Sequence, residues 1–156
     1  MERGSGHAGR ARPARTGAIR NFQRRFTLGH TVLIVDDAEF MRAMLREIVE
    51  EMELDVAAEA ADGDEAVQLY HRHQPDLVLL DITMPGKDGT EALQDILAAD
   101  PEATVVMITA LGQKEQVLSS IKAGARDFII KPFDTERVQD TLQRILPTCT
   151  ARHQLR

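Results

Sequence analysis

Four short apolar runs in this 156-residue chain each end on a residue type that could do chemistry. Val32-Leu33-Ile34-Val35 is followed by Asp36 and Asp37, and Leu77-Val78-Leu79-Leu80 by Asp81. Val105-Val106-Met107-Ile108 is followed by Thr109, and Phe128-Ile129-Ile130 by Lys131. If the runs are parallel strands of one sheet, these residues share the edge where such sheets bind ligands. Three carboxylates brought together repel, so either some take up protons or a cation sits among them. An all-oxygen donor set suits a hard ion such as Mg2+, with water completing its shell. A cation, an ammonium and a hydroxyl are what is needed to neutralise three phosphoryl oxygens during transfer to a carboxylate. Asp81 is the best candidate nucleophile, because it ends the third run, expected to be the central strand.

The elements that must position these groups can be read from periodicity. Apolar runs without in/out alternation fit strands buried on both faces of a parallel sheet. A weaker run, Leu54 to Ala58, is interrupted by Asp55 and suits an edge strand. Between the runs lie helical patterns: Phe40, Met44, Leu45, Ile48 and Met52; Ala66, Val67 and Tyr70; Ala92, Leu93, Ile96 and Leu97. Val117, Leu118 and Ile121 mark a fourth helix, and Val138, Leu142, Ile145 and Leu146 a fifth. Turn signals at Asp62-Gly63, Pro75, Pro85-Gly86, Asp88-Gly89, Pro101, Gly124 and Pro132 separate them. Five strands alternating with five helices predict a doubly wound α/β sandwich.

Composition sets the outer limits. Hydrophobic content of 43% supports a core, and aromatic content of 4% makes it one of aliphatic residues and Met. No apolar run approaches the ~18 residues needed to span a bilayer. The lone Cys149 excludes an internal disulfide. The net charge of −6 conceals an asymmetry: residues 1–29 hold seven arginines and one acid, leaving −12 on the rest. Residues 1–29 are expected to be a disordered basic extension, residues 30–147 the folded domain, and 148–156 a short tail. Ile19, Phe22 and Phe26 fall at helical spacing among arginines, which also admits a short basic amphipathic helix.

Taken together, Val32 to Asp37, Leu79-Leu80-Asp81-Ile82-Thr83-Met84-Pro85, Ile108-Thr109-Ala110 and Lys131-Pro132-Phe133 resemble the response-regulator receiver domain. The resemblance runs in order from about Thr31 to Leu146, and four stretches in register are far more specific than any one of them. It implies a flavodoxin-like, five-stranded parallel sheet of order 2-1-3-4-5. Asp81 would take a phosphoryl group from a sensor histidine kinase. Asp36, Asp37, Asp81 and the Thr83 carbonyl would hold Mg2+, Lys131 would pair with the phosphoryl group, and the Lys131–Pro132 bond would be cis. Thr109 and Phe128 would act as switch residues, reshaping the face from about Gln113 to Leu146. Neither Thr83 nor Leu111 carries a carboxylate or amide to orient attacking water, so a long phosphoryl lifetime is expected.

Each residue also has a plainer reading. Asp before a helical pattern is a common N-cap, an aromatic beside a strand is usually core, and His71 and His73 face different ways on a helix. The function read from the sequence is a single-domain regulator, not an enzyme beyond its own phosphorylation and dephosphorylation. It is expected to be cytoplasmic and monomeric, and to act by protein contact on a motor switch or adaptor in chemotaxis. The alternative is a phosphorelay intermediate that passes the phosphoryl group to a histidine phosphotransfer protein. A small aspartate phosphatase is disfavoured because position 83 is Thr where a second acid is needed. Nucleic-acid binding is disfavoured because the folded part is acidic.

Overall fold

The computed structural model describes residues 29–148. The basic extension, its helix at Ile19, Phe22 and Phe26, and the tail with Cys149 lie outside those residues. The five runs form parallel strands: β1 (Thr31–Val35), β2 (Asp55–Ala60), β3 (Leu77–Asp81), β4 (Val105–Ala110) and β5 (Asp127–Lys131). Their spatial order is β2-β1-β3-β4-β5, as expected. Helices α1 (Glu39–Glu51), α2 (Gly63–His73), α3 (Gly89–Ala99), α4 (Lys114–Ala123) and α5 (Thr135–Ile145) make the crossovers. A 3-10 turn, Leu146–Thr148, follows α5. Among the described residues, no helix is long and apolar enough to cross a membrane.

Alternate residues of each central strand feed opposite faces of the sheet. On one face Val32, Ile34, Leu77, Leu79, Val106 and Ile108 pack with Leu45, Ile48 and Val49 of α1 and Val138 and Leu142 of α5. On the other, Leu33, Val35, Val78, Leu80, Val105 and Met107 pack with Ala66 and Tyr70 of α2 and Ala92, Leu93 and Ile96 of α3. All five residues of β3 are buried, as the central strand requires. Burial of each large aliphatic side chain contributes roughly 1.5–3 kcal/mol, so the two layers pin the strand register. That register sets Val35 beside Leu80, Asp81 beside Ile108, and Ala110 beside Lys131.

Three parts of the sequence reading need correction. β5 is not buried on both faces: it closes the edge beyond β4, and of its apolar run only Ile129 is buried. Phe40 is 73% exposed, because it falls on the outer face of α1 and away from the stripe formed by Leu45, Ile48 and Val49. Leu118 and Ile121 of α4 are exposed, and the helix buries only Ser120. The fourth helical pattern is thus a real helix whose apolar stripe touches the core only through Val117 and leaves Leu118 and Ile121 on the surface.

Local signals account for the helix starts. Asp62, Asp88 and Asp134 cap α2, α3 and α5, accepting from the backbone N–H groups of Glu65, Glu91 and Arg137. Glu91 returns a bond to the Asp88 N–H and completes a capping box. α1 starts at Ala38 without a side-chain cap, so neither Asp36 nor Asp37 is its N-cap.

Candidate functional site

The carboxyl ends of β1, β3, β4 and β5 lie on one edge, and the sequence-predicted residues meet there. Asp36 follows the last residue of β1 and is fully buried. Its Oδ1 accepts from the Ala38 N–H at 2.8 Å, folding the β1–α1 turn over the carboxylate and leaving Oδ2 facing the site. Lys131, the last residue of β5, sends its Nζ to that Oδ2 at 3.0 Å and to Asp81 Oδ2 at 3.4 Å. One ammonium thereby bridges two buried carboxylates. Asp37 is exposed, yet carboxylate oxygens of Asp36, Asp37 and Asp81 all lie within 4.8 Å of one another. The Lys131–Pro132 bond is cis.

The electrostatics follow from this crowding. Burial, and then the negative charge of Asp36, raise the Asp81 carboxyl to a pKa of about 6. Lys131 and the Thr83 N–H, which donates to Asp81 Oδ1 at 3.4 Å, offset only part of that rise. Burial alone would lower the Lys131 ammonium, but its bond to Asp36 and the charges of Asp81 and Asp36 hold it above the ordinary lysine value. Two carboxylates that share one lysine, with a third nearby, leave a net negative pocket of oxygen donors. That is the donor chemistry of a Mg2+ site, and the buried, raised Asp81 is the mark of charge still to be neutralised.

Thr109 is the last residue but one of β4 and almost fully buried, at 1% exposure. Its hydroxyl donates to Gln113 Oε1 at 2.8 Å. Phe128 stands on the outside of β5, 38% exposed, beside a groove of about 400 Å³ that Val117, Leu118, Ile121 and Ile130 also line. Leu111 is exposed and lines the same groove. Thr83 is exposed too, and its hydroxyl accepts from the Gln113 side-chain amide.

Two residues at the site escaped the sequence reading. Gln113 brings an amide beside Thr83 and Thr109, although neither position 83 nor position 111 itself carries one. Arg42 of α1 donates to the Asp36 carbonyl at 2.6 Å and pairs with Glu59 of β2 at 3.2 Å, bracing the turn that carries the two acids. A polar residue on the second turn of α1 could have signalled it. Glycine signals were clearer: a Cβ at Gly89 would lie 2.0 Å from the Asp81 carbonyl oxygen, so only glycine lets α3 start against the end of β3.

A parallel sheet of this order, with an acidic pocket and a lysine at its carboxyl edge, places those groups where doubly wound α/β folds bind their ligands. The sequence profile of the response regulator receiver domain matches residues 32–143. The chain therefore belongs to the response regulator receiver family. It is 51% identical over 115 residues to the Bacillus subtilis protein called CcdB, covering 74% of this chain and 96% of that one. It is 47% identical over 118 residues to a chemotaxis protein CheY of Thermotoga maritima, covering 76% and 98%. Among solved structures it resembles a chain of the CheX–CheY–BeF3–Mg2+ complex of Borrelia burgdorferi, with 40% identity and a TM-score of 0.72. That match covers 74% of this chain and 88% of the other.

Proposed function

We propose that this chain is a chemotaxis-type response regulator that receives a phosphoryl group on Asp81 and thereby changes its protein contacts. The observation that carries the reading is Lys131 bridging Asp36 and Asp81 beside the exposed Asp37. At neutral pH an Asp81 carboxyl with a pKa of about 6 is mostly ionised and able to attack. Its Oδ attacks the phosphorus of a kinase phosphohistidine, the P–N bond breaks, and the imidazole leaves with the electron pair. Lys131 moves from a carboxylate partner to a phosphoryl oxygen, and the Thr109 hydroxyl takes another. Asp36, Asp37, Asp81 and the Thr83 carbonyl would hold Mg2+, which when bound supplies the remaining positive charge to the equatorial oxygens.

The chain is a signalling protein and not a classical enzyme; the catalysis it performs is on its own aspartate. Its upstream partner is a sensor histidine kinase. The downstream partner is a motor-switch or adaptor protein that reads the face around Phe128 and α4. The reading places this activity in the cytoplasm, where ATP-dependent kinases make phosphohistidine. Incubation with Mg2+ and a small acyl-phosphate donor tests it. Wild type is expected to gain one phosphoryl group and Asp81→Asn none. Equal labelling of both, or of neither, overturns the reading.

A further inference from the structure

We propose that Gln113 is a latch: in the unphosphorylated chain its amide holds the Thr109 hydroxyl, and phosphorylation proceeds by breaking that hold. The inference rests on the receiver reading of Asp81 and adds to it a positioning residue in the turn before α4.

The geometry of one amide carries it. Gln113 Oε1 accepts from the Ala110 backbone N–H at 2.9 Å and from the Thr109 hydroxyl at 2.8 Å. A backbone N–H can only donate, so this contact fixes which end of the amide faces β4. The Nε2 end then faces the loop after β3 and donates to the Thr83 hydroxyl oxygen. One side chain thus ties the Thr109 hydroxyl to both loops that border Asp81.

Competition follows from counting protons. A threonine hydroxyl has one proton to donate. Its alternative acceptor is the Ala110 carbonyl at 3.2 Å, longer than the bond to Gln113. Neither acceptor is Asp81. With Thr109 only 1% exposed, water is a poor substitute partner. A phosphoryl oxygen on Asp81 can therefore receive that proton only if Gln113 gives it up.

The latch also reaches beyond the site. Gln113 has non-helical backbone angles and immediately precedes α4, the helix that buries only Ser120. Losing the Thr109 bond removes one of the three bonds of that amide, at the start of the helix with the fewest buried residues, so a bond broken at Thr109 weakens what holds α4. This couples the chemistry to the groove at Phe128 through one named side chain.

The full-length chain with Mg2+ and beryllofluoride, an acyl-phosphate mimic, provides the test. Gln113→Met keeps the length of the side chain and removes its hydrogen bonds. Removing one competing neutral bond is expected to tighten beryllofluoride binding about fivefold in a fluorine NMR titration. In a Thr109→Val background the same substitution is expected to change nothing. In the ligand-free chain, scalar couplings at Thr109 are expected to show its side chain leaving a single rotamer when Gln113 is replaced. Unchanged or weaker binding, or an equal gain without the Thr109 hydroxyl, overturns the latch, as does an unchanged rotamer. If Gln113→Met does not melt cooperatively, Gln113→Asn, too short to span both threonines, carries the same expectations. Failure of wild type to bind beryllofluoride, or equal binding by Asp81→Asn, overturns the receiver reading instead, while the ligand-free rotamer still decides the latch.

Discussion

Asp81 is held in a form that costs the fold stability. Its carboxyl moves from 3.8 to about 6 on folding, by burial first and by Asp36 second. Because the folded pKa lies above the unfolded one, the folded chain binds this proton more tightly between the two values. The resulting stabilisation is complete below about pH 4 and is lost as pH rises through about 6. At about pH 7.5, with divalent ions chelated, Asp81→Asn is therefore expected to be more stable than wild type by about 1–3 kcal/mol. Urea titrations repeated down to about pH 4 should show that gain shrinking towards zero. A gain that stays constant with pH would assign it to something other than ionisation of Asp81.

Orphaned polar groups make a second point at the same scale. Both ring nitrogens of His30 and the hydroxyl of Ser120 are buried and have no hydrogen-bond partner among the described residues. An unpartnered buried polar atom costs more than the apolar group that could replace it. Ser120→Ala is therefore expected to stabilise the domain by about 0.5–1 kcal/mol, since alanine also has the higher helix propensity. A loss of stability in thermal melts would mean that the hydroxyl is satisfied in solution.

At the scale of elements, the sequence was legible where one physical signal dominated. The runs of β1, β3 and β4 were readable because central strands bury both faces, and the breaks at Asp62-Gly63 and Asp88-Gly89 because turn residues cluster there. β5 and α4 are present as expected, but the exposure of Phe128 and Ile130 and of Leu118 and Ile121 was not legible, for a shared reason. An apolar run records what a residue avoids, and cannot tell a core neighbour from a surface kept open for a partner. Gln113 was missed because no periodicity marks a side chain that bridges two loops. Arg42 was missed because a polar residue on a helix reads as solvated until the strand acid opposite it is known.

Two expectations belong to these elements. A methyl group at position 89 meets the Asp81 carbonyl, which is backbone and cannot step aside. Gly89→Ala is expected to destabilise the domain by about 2–3 kcal/mol and to slow phosphorylation as well, because relief of the clash displaces Asp81. A stability loss with unchanged phosphorylation would show that α3 moves instead of β3. α4, which anchors only Ser120 in the interior, is expected to exchange its amide hydrogens well before α1, α3 and α5. Equal protection across the helices would contradict a loosely held α4 and count against the proposed coupling of Gln113 to it.

Charge is the property that belongs to the whole molecule. Residues 29–148 carry twenty-four Asp and Glu against ten Lys and Arg, a net charge of −14. Such an excess repels itself, and Asp36, Asp37 and Asp81 gather three of its carboxylates within 4.8 Å of one another at one edge. Two kinds of relief can be separated. Monovalent salt screens charges everywhere, so raising it from about 50 mM to about 500 mM should raise the melting temperature gradually, with similar effects on wild type and Asp81→Asn. Binding of Mg2+ at the carboxylate cluster adds stability by mass action, a further ~2.7 kcal/mol at about a hundred times the dissociation constant. At matched ionic strength, Mg2+ should therefore raise the melting temperature of wild type beyond the salt curve, and that of Asp81→Asn much less. If Mg2+ merely followed the salt curve, the acidic edge would be a repulsive surface and not a cation site. If both proteins gained equally, the cation would be held without Asp81, against the proposed sharing of one metal by Asp36, Asp37 and Asp81.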